Sequence, residues 1–333
     1  MTILFCVLAS FVSTLFAASL FDDRSPLEIE LAGPVWSLVK NKKDRDERPF
    51  KLSIDGMEFD IKVRARGNSR MRICQFPPLR FNFKKTDTAG TPFEGQDKLK
   101  LVTRCKKSDR AEADVLEEYA AYQIFSLMSD VSFRTRLVHM TYKDTDGRLN
   151  KAFSSSYGFL IEPVGHLESR VSGSQASVPA VSLGQLEENQ AALVYVFQYL
   201  IGNTDWSFVK ADTDEHCCHN IKLISIDSKL FPVPYDFDLA GVVNASYAKP
   251  DPSLKIKKVW QRLYRGFCTD PAVLKTALST VSAKEDEVLA MITDLPRLTA
   301  REKEKNIEYL EKVFRKADDQ NEIIEYFDKN CHP

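Results

Sequence analysis

Apolar and polar residues alternate along much of the first half of the chain, and this period of two predicts β-strands. The clearest case is residues 49–66 (PFKLSIDGMEFDIKVRAR), where the alternation surrounds the dipeptide Asp55-Gly56. A turn of that composition between two alternating runs predicts a hairpin. Further strands are predicted at 79–85, 99–102, 136–142 and 157–162.

Other segments show the longer period of a helix. Residues 111–129 combine apolar positions at helical spacing with acidic residues in the first turn, where the helix dipole favours them. Residues 187–201 have one apolar face and stop at Gly202, a suitable residue for a helix C-terminus. Two more helical patterns cover 271–293 and 298–326. The sequence therefore predicts a sheet with one inserted helix, followed by a mostly helical half that begins between residues 162 and 184.

Composition and charge limit the classes of partner. The chain has 333 residues, 44% of them hydrophobic, which is enough to bury a large core. Its 46 basic and 47 acidic residues leave a net charge of −1. Charge-driven binding to nucleic acid or to an anionic membrane needs an imbalance. We therefore expect no nucleic-acid partner.

The first eighteen residues (MTILFCVLASFVSTLFAA) carry no charged side chain. An apolar run from Ile3 to Phe16, followed by Ala17-Ala18, is typical of a secretory signal peptide with a small-residue cleavage site. The alternative is a buried N-terminal helix, and the run is short for a membrane span. The sequence therefore predicts a signal peptide over 1–18, a secreted or periplasmic protein, and no stable membrane insertion after its removal.

Removal of the signal peptide leaves six cysteines. An even number in an exported protein favours disulfides. Cys74 and Cys105 flank predicted strands of the same sheet, and we expect them to be bonded. Zinc binding is the competing interpretation of HCCH at 216–219, but adjacent cysteines lack the usual two-residue spacer of such sites.

Candidate chemistry is concentrated in three loops. Asp205 follows the predicted helix that ends at Gly202, Asn220 precedes a short strand, and VPYDFDLAG brings Asp236 and Asp238 close together after the next strand. In phosphoryl transfer, one carboxylate orients the acceptor hydroxyl, while an amide and a second carboxylate hold Mg²⁺ against the phosphates. A cation between Asp236 and Asp238 would also relieve their repulsion. The alternative is a solvated turn, which Asp favours.

Four segments resemble the CotH family, the spore-coat-protein-H kinases, which are atypical secretory protein kinases. RARGNSR (64–70) resembles the loop between the first strands of the family, and YGFLIEP (157–163) its hinge. FQYLIGNTDW (197–206) is similar to the catalytic loop, and VPYDFDLAG (233–241) to the metal-binding segment, usually written with Trp where this chain has Tyr. The resemblance runs from about residue 50 to residue 245.

The resemblance implies a fold, a cofactor and a domain division. The fold would be α+β: a two-lobed protein-kinase-like fold with a mixed β-sheet N-lobe containing one helix, over 19–162, and a mostly helical C-lobe over 163–333. The cofactors would be ATP with Mg²⁺ or Mn²⁺, and the partner an unknown protein or small-molecule acceptor.

It also implies roles for single residues. Asp205 would be the catalytic residue, with Asn220 and Asp236 as metal ligands. Asp238 would be a second ligand or cap the next loop. The remaining expected nucleotide-binding residues are Arg66, Arg80, Lys100, Glu117 (or Glu118 beside it) and Glu162, the last near the adenine.

Two departures from the family pattern keep an inactive protein in consideration. Asp205 and Asn220 are fifteen positions apart, much farther than in the family, with Cys217 and Cys218 in the added segment. The vicinal cysteines could bond to Cys268 or Cys331 and loop the segment out, or the site could be broken, with Asn203 as a substitute ligand.

The second departure concerns the phosphate-binding lysine, because the chain has FPPLRFNF where the family has Lys. Arg80 is the nearest cation, and Arg is not equivalent to Lys at such a site. Phosphoryl transfer, AMP transfer, a catalytically inactive kinase-fold binding or scaffold protein, and a hydrolase using Asp205 and Asp236 therefore all stay open. The chain lacks the sequence motifs of serine hydrolases, P-loop enzymes and dinucleotide enzymes.

Overall fold

The computed structural model describes residues 20–208 and 217–332. The predicted signal peptide over 1–18 lies outside the described residues. The strands are β1 (Leu27–Gly33), β2 (Arg48–Ile54), β3 (Met57–Ala65), β4 (Leu79–Asn82), β5 (Lys98–Val102), β6 (Thr135–Asp144), β7 (Ser155–Ile161), β8 (Ser174–Ala176), β9 (Ile221–Ile226) and β10 (Lys229–Pro234). The helices are α1 (Val35–Lys40), α2 (Ser69–Ile73), α3 (Asp109–Met128), α4 (Val164–Arg170), α5 (Glu188–Ile201), α6 (Pro271–Ser282), α7 (Glu285–Asp294), α8 (Ala300–Asp318) and α9 (Gln320–Asn330).

Seven strands close into a barrel in the order β1-β2-β3-β4-β5-β7-β6. The first strand closes it, because β1 pairs antiparallel with β2 and parallel with β6, from Leu27 opposite Val138 to Gly33 opposite Asp144. Alternate apolar side chains fill the interior, and Leu52, Val63 and Phe81 are fully buried there. The period of two that predicted strands is thus the inward and outward alternation of a barrel wall.

The predicted two-lobed kinase-like fold with an open N-lobe sheet is therefore wrong. The sequence prediction began the sheet at residue 49 and did not include β1, whose residues LEIELAG also alternate. With β1 in place, both edges of the sheet are paired, so no open edge is left. The strands β2 to β7 and the helix α3 were predicted correctly, whereas β1 and the closure of the sheet were not.

A second apolar cluster surrounds α3 and α5 and includes the small sheet β10-β9-β8 and the four C-terminal helices. Helix α5 is buried from Gln190 to Ile201 and ends at Gly202, as predicted. Gly202 has a φ of +67°, and a Cβ atom there would lie 1.9 Å from the Tyr309 hydroxyl oxygen. Glycine is required at this position both by backbone conformation and by space.

The C-terminal region forms four helices where the sequence predicted two. The predicted helix over 271–293 is interrupted after Ser282, and three acidic residues open α7 at the new N-terminus. The predicted helix over 298–326 is interrupted at Asp319, whose carboxylate accepts a hydrogen bond from the backbone of Glu322 and caps α9. Both breaks keep the apolar period on each side, so periodicity alone could not locate them.

Three disulfides connect the six cysteines of the described residues. The predicted Cys74–Cys105 bond is confirmed, and the others join Cys217 to Cys218 and Cys268 to Cys331. The expectation that the vicinal pair bonds to Cys268 or Cys331 is wrong, because the adjacent thiols are bonded to each other. That bond also removes both thiols as zinc ligands, and His216 lies outside the described residues. Within 20–208 and 217–332, no helix combines the length and apolar character needed to cross a membrane.

Replacing both Cys268 and Cys331 with Ser should destabilise the C-terminal helices. The bond closes a segment of 63 residues between the loop before α6 and the end of α9. The chain-entropy relation gives an effect of about 4 kcal/mol for a loop of this length, as an upper value. Urea unfolding of the oxidised protein and the double variant measures it, and coincident unfolding curves would contradict the prediction.

Candidate functional site

The β9–β10 hairpin places Asn220 and Asp236 side by side. Its strands are joined by Asp227 and Ser228, both with positive φ, as a two-residue hairpin turn requires. At the other end, the backbone N–H of Tyr235 donates to the carbonyl oxygen of Asn220 at 3.1 Å. This bond extends the ladder by one pair, so Asn220 and Asp236 emerge from adjacent strands at the same end.

Asp205 reaches the same end of the hairpin from the loop after α5. Asn220 Nδ2 donates to Asp205 Oδ2 at 3.0 Å and to its carbonyl oxygen at 2.8 Å. Ser207 and His219 exchange two backbone hydrogen bonds of 3.0 Å, which return the chain to Asp205 after the added segment. The fifteen-position separation therefore leaves Asn220 in contact with Asp205. Asn203, the substitute ligand, instead accepts a 2.9 Å bond from the Asp205 backbone.

His219 is a site residue that the sequence prediction missed. Its Nε2 lies 2.9 Å from Asp205 Oδ1, opposite the oxygen that Asn220 holds. The two neighbours together fix the orientation of the Asp205 carboxylate, which stays one-third exposed. The sequence prediction considered histidines only as metal ligands at regular spacing. A contact between residues fourteen positions apart has no recognisable sequence pattern.

Arg70 was one of several candidate cations that the sequence did not rank, and it contacts three carboxylates of the site. Its side chain is 9% exposed. Its Nε donates to Asp238 Oδ2 at 2.8 Å, and its Nη2 donates to Glu118 Oε2 at 2.7 Å and to Asp236 Oδ1 at 3.4 Å. These neighbouring carboxylates raise the pKa of Arg70 against the effect of burial. The loop GNSR was recognised, but sequence alone did not distinguish Arg70 from neighbouring cations.

Arg70 is the cation that stands between the two aspartates. Asp238 is buried and held by Arg70 and by the Tyr247 hydroxyl, which donates to Oδ2 at 3.0 Å. The Asp236 side chain is 49% exposed and opens toward solvent. Its pKa is raised by its low-dielectric surroundings and by repulsion from Asp238, with Arg70 and Arg66 opposing. A metal ion is therefore not needed to keep this pair together.

Two of the predicted nucleotide-binding cations face Asp236. Arg66 and Lys100 both interact electrostatically with its carboxylate. Burial in the site and repulsion from Arg66 and Lys222 lower the pKa of Lys100 to about 8, although part of its side chain is exposed. These groups place positive charge beside the most exposed carboxylate of the site. Such a cluster can bind the phosphates of a ligand.

Three other predicted residues are already engaged elsewhere. Arg80 donates to Glu47 at 2.9 Å. Glu117 is 1% exposed and is held by Arg110 and by Asn306 Nδ2 at 2.7 Å. Burial raises the pKa of Glu117 to about 7.

Glu162 is likewise occupied. Its Oε2 accepts from the Arg170 guanidinium at 2.9 Å and from the Arg134 backbone at 3.0 Å. The carboxylates of Glu117 and Glu162 therefore serve internal ion pairs of the fold. That Glu117 and Glu162 bind nucleotide stays a prediction, and these contacts do not support it.

The residues present fit a metal ion that is bound together with a phosphate ligand. Among described residues, no group of three His, Cys, Asp or Glu side chains is arranged to hold a metal. Asn220 uses Nδ2 toward Asp205, which leaves Oδ1 as a ligand, and Asp236 offers an exposed carboxylate. Mg²⁺ commonly takes one or two protein oxygens and completes its shell with water and substrate phosphates. Asp238 is the less suitable ligand, because it is buried and its Oδ2 already accepts from Arg70 and from the Tyr247 hydroxyl.

No protein-family model matches this chain, and no curated protein matches it either.

Proposed function

We propose that the protein is an exported phosphotransferase that uses ATP and Mg²⁺ or Mn²⁺ to modify a hydroxyl group of a protein or small molecule. The observation that supports this proposal best is the convergence of Asp205, Asn220 and Asp236 at one end of the β9–β10 hairpin, opposite Lys100 and Arg66. The motif resemblance to the CotH family and the three disulfides agree with it.

Each residue has a distinct part in this proposal. Asp205, oriented by His219 and Asn220, accepts the proton of the attacking hydroxyl. Asn220 Oδ1 and Asp236 would hold the metal, and its chemistry there would be to neutralise charge on the transferring phosphoryl group. Lys100 and Arg66 bind phosphate oxygens. Arg70 keeps Asp236 in position through the buried contacts with Glu118 and Asp238. AMP transfer would use the same groups.

A binding protein without catalysis is the second candidate, and one observation favours it. Arg70 contacts the carboxylates of both Asp236 and Asp238, so its positive charge offsets part of their repulsion without a metal. In a binding protein, Arg70 alone could hold the loop that contains Asp236 and Asp238, and Mg²⁺ would not be required.

A thermal-shift titration with ATP, with and without Mg²⁺ or Mn²⁺, separates the two candidates. A ligand that binds only the native state raises its stability by mass action. We expect a metal-dependent rise that Asp236→Asn loses, whereas Asp227→Asn, an exposed change at the far end of the same hairpin, keeps it. The absence of a rise with any of these ligands would favour the binding protein.

Nucleotide affinity should fall as the pH rises through the pKa of Lys100, which is about 8. Below that pH, Lys100 is protonated and attracts phosphate; above it, the neutral amine does not. Titration of an essential group with this pKa gives about a tenfold loss of affinity between pH 7 and pH 9. Calorimetric titration with ATP at several pH values measures the loss. Lys100→Arg should abolish this dependence because Arg stays charged, and an unchanged slope in that variant would contradict the assignment.

A further inference from the structure

Six cations occupy one outer face of the barrel, beside the candidate site. On β3, β4 and β5 the outward positions alternate with buried ones such as Val63, Phe81 and Leu99. We refer to the six cations as the basic face, which consists of Lys62, Arg64, Arg66, Arg80, Lys98 and Lys100.

Strand register aligns these cations in rows. Arg64 lies opposite Arg80, and Arg80 lies opposite Lys100, so three like charges stand side by side across three strands. The next row places Lys62 and Lys98 on either side of Asn82. Like charges directly opposite one another destabilise a sheet. This arrangement therefore favours the binding of a counter-anion.

The face has little internal compensation. Among the described residues, Arg80 pairs with Glu47, and none of the other five cations forms a salt bridge. Burial, together with repulsion from Arg80, Arg45 and Arg66, lowers the pKa of Arg64, and attraction to Glu47 opposes this effect. Positive charge is thus concentrated on this face although the net charge of the whole chain is −1.

The basic face leads toward the reactive groups. Lys62, Arg64 and Arg66 follow one another at alternate positions of β3 and its continuation, over about 13 Å at the rise of a strand. Arg66 at the end of this line interacts with Asp236. Same-face side chains of an extended peptide repeat at about 6.6–7 Å, which is the spacing of these cations.

We propose that the basic face binds an acidic, extended polypeptide segment and directs it toward Asp236. The bound segment would carry carboxylate or phosphorylated side chains at alternate positions, and each of these groups would lie near a Lys or Arg of the basic face. The identification of this segment as the acceptor substrate rests on the proposed function. The binding of the segment to the basic face does not depend on that function.

The test is fluorescence anisotropy with a labelled peptide of alternating Glu and Ser at low ionic strength, with a Gln-Ser peptide as the neutral comparison. The double reversal Lys62→Glu/Lys98→Glu should weaken binding of the Glu-Ser peptide about tenfold, an effect that added salt diminishes. These two positions lie at the end of the face away from Asp236. The matched control is Lys312→Glu/Lys316→Glu, which makes the same change in net charge on exposed positions of α8 and should leave the affinity within about twofold.

Several results would overturn the proposal. One is that both double reversals weaken peptide binding equally, and another is that the unmodified protein does not bind the Glu-Ser peptide. The others are that a sulfated polysaccharide binds more tightly than the peptide, or that ATP with Mg²⁺ displaces the peptide completely. The thermal-shift titration keeps the two proposals separate. Peptide binding without a nucleotide-dependent thermal shift would support the basic face as a peptide-binding surface and contradict the proposed phosphotransferase activity. A nucleotide-dependent thermal shift without peptide binding would support nucleotide binding and contradict the proposed peptide-binding surface.

Discussion

Asp205→Asn should reduce nucleotide turnover by about 10²–10⁴, the range that general base catalysis contributes. The amide is isosteric but cannot accept the proton of the attacking hydroxyl. The amide oxygen can accept from Asn220 Nδ2, and the amide nitrogen can donate to His219 Nε2 in the tautomer in which that ring nitrogen is an acceptor, so the loop should keep its position. Turnover is measured as release from ATP, with Mg²⁺ or Mn²⁺, of ADP for phosphoryl transfer or of pyrophosphate for AMP transfer.

The comparison with binding distinguishes lost chemistry from a lost fold. The metal-dependent thermal shift with ATP should persist in Asp205→Asn, because Asp205 is not proposed to hold the metal. Asp227→Asn serves as the control, since it makes the same chemical change at an exposed position of the hairpin. Turnover by Asp205→Asn within a factor of about three of the unmodified protein would exclude Asp205 as the base.

Arg70→Met should lower the free energy of unfolding by about 3–5 kcal/mol, because removing one partner of a buried ion pair leaves uncompensated charge. Glu118 and Asp238 are both buried and would lose their common partner. The loss should shrink as the pH is lowered, because burial raises the pKa of Glu118 to about 8 and protonation of this carboxyl group removes its unpaired charge. Urea unfolding at several pH values measures both effects.

Arg72→Met provides the matched control on the same short helix. Arg72 is exposed, and its replacement should change stability by less than about 0.5 kcal/mol. The variant Arg70→Met/Glu118→Gln/Asp238→Asn should recover part of the loss by removing the orphaned charges. If Arg70→Met unfolded at the same urea concentration as Arg72→Met, the buried network would not be a source of stability.

Local periodicity predicted most single elements but not the closure of the sheet. The alternation in β2, β3 and β4 depends on nearest neighbours and is visible in any short window. Closure depends on β1 meeting β6, residues more than a hundred positions apart. No local pattern encodes which strands pair, so the mixed sheet that the family resemblance implied did not include this closure.

In the candidate site, too, residues with a local sequence signal could be predicted and residues that act through long-range contacts could not. Asp205, Asn220 and Asp236 could be selected because each follows or precedes a recognisable element. Arg70 and His219 act through contacts across many positions, and both residue types are common on surfaces. The disulfides illustrate both outcomes: Cys74–Cys105 follows from adjacent strands, whereas the Cys217–Cys218 bond was not expected.

The pairing of β1 with β6 also determines an order of events during synthesis. β1 is made before β6, and this parallel partner ends only at Asp144. Long-range parallel pairing is slow because the intervening chain must first be ordered. Until β6 arrives, one side of β1 exposes unpaired backbone groups and can pair with other chains. Chaperones that protect nascent strands should therefore be most important for this protein before residue 144 has emerged.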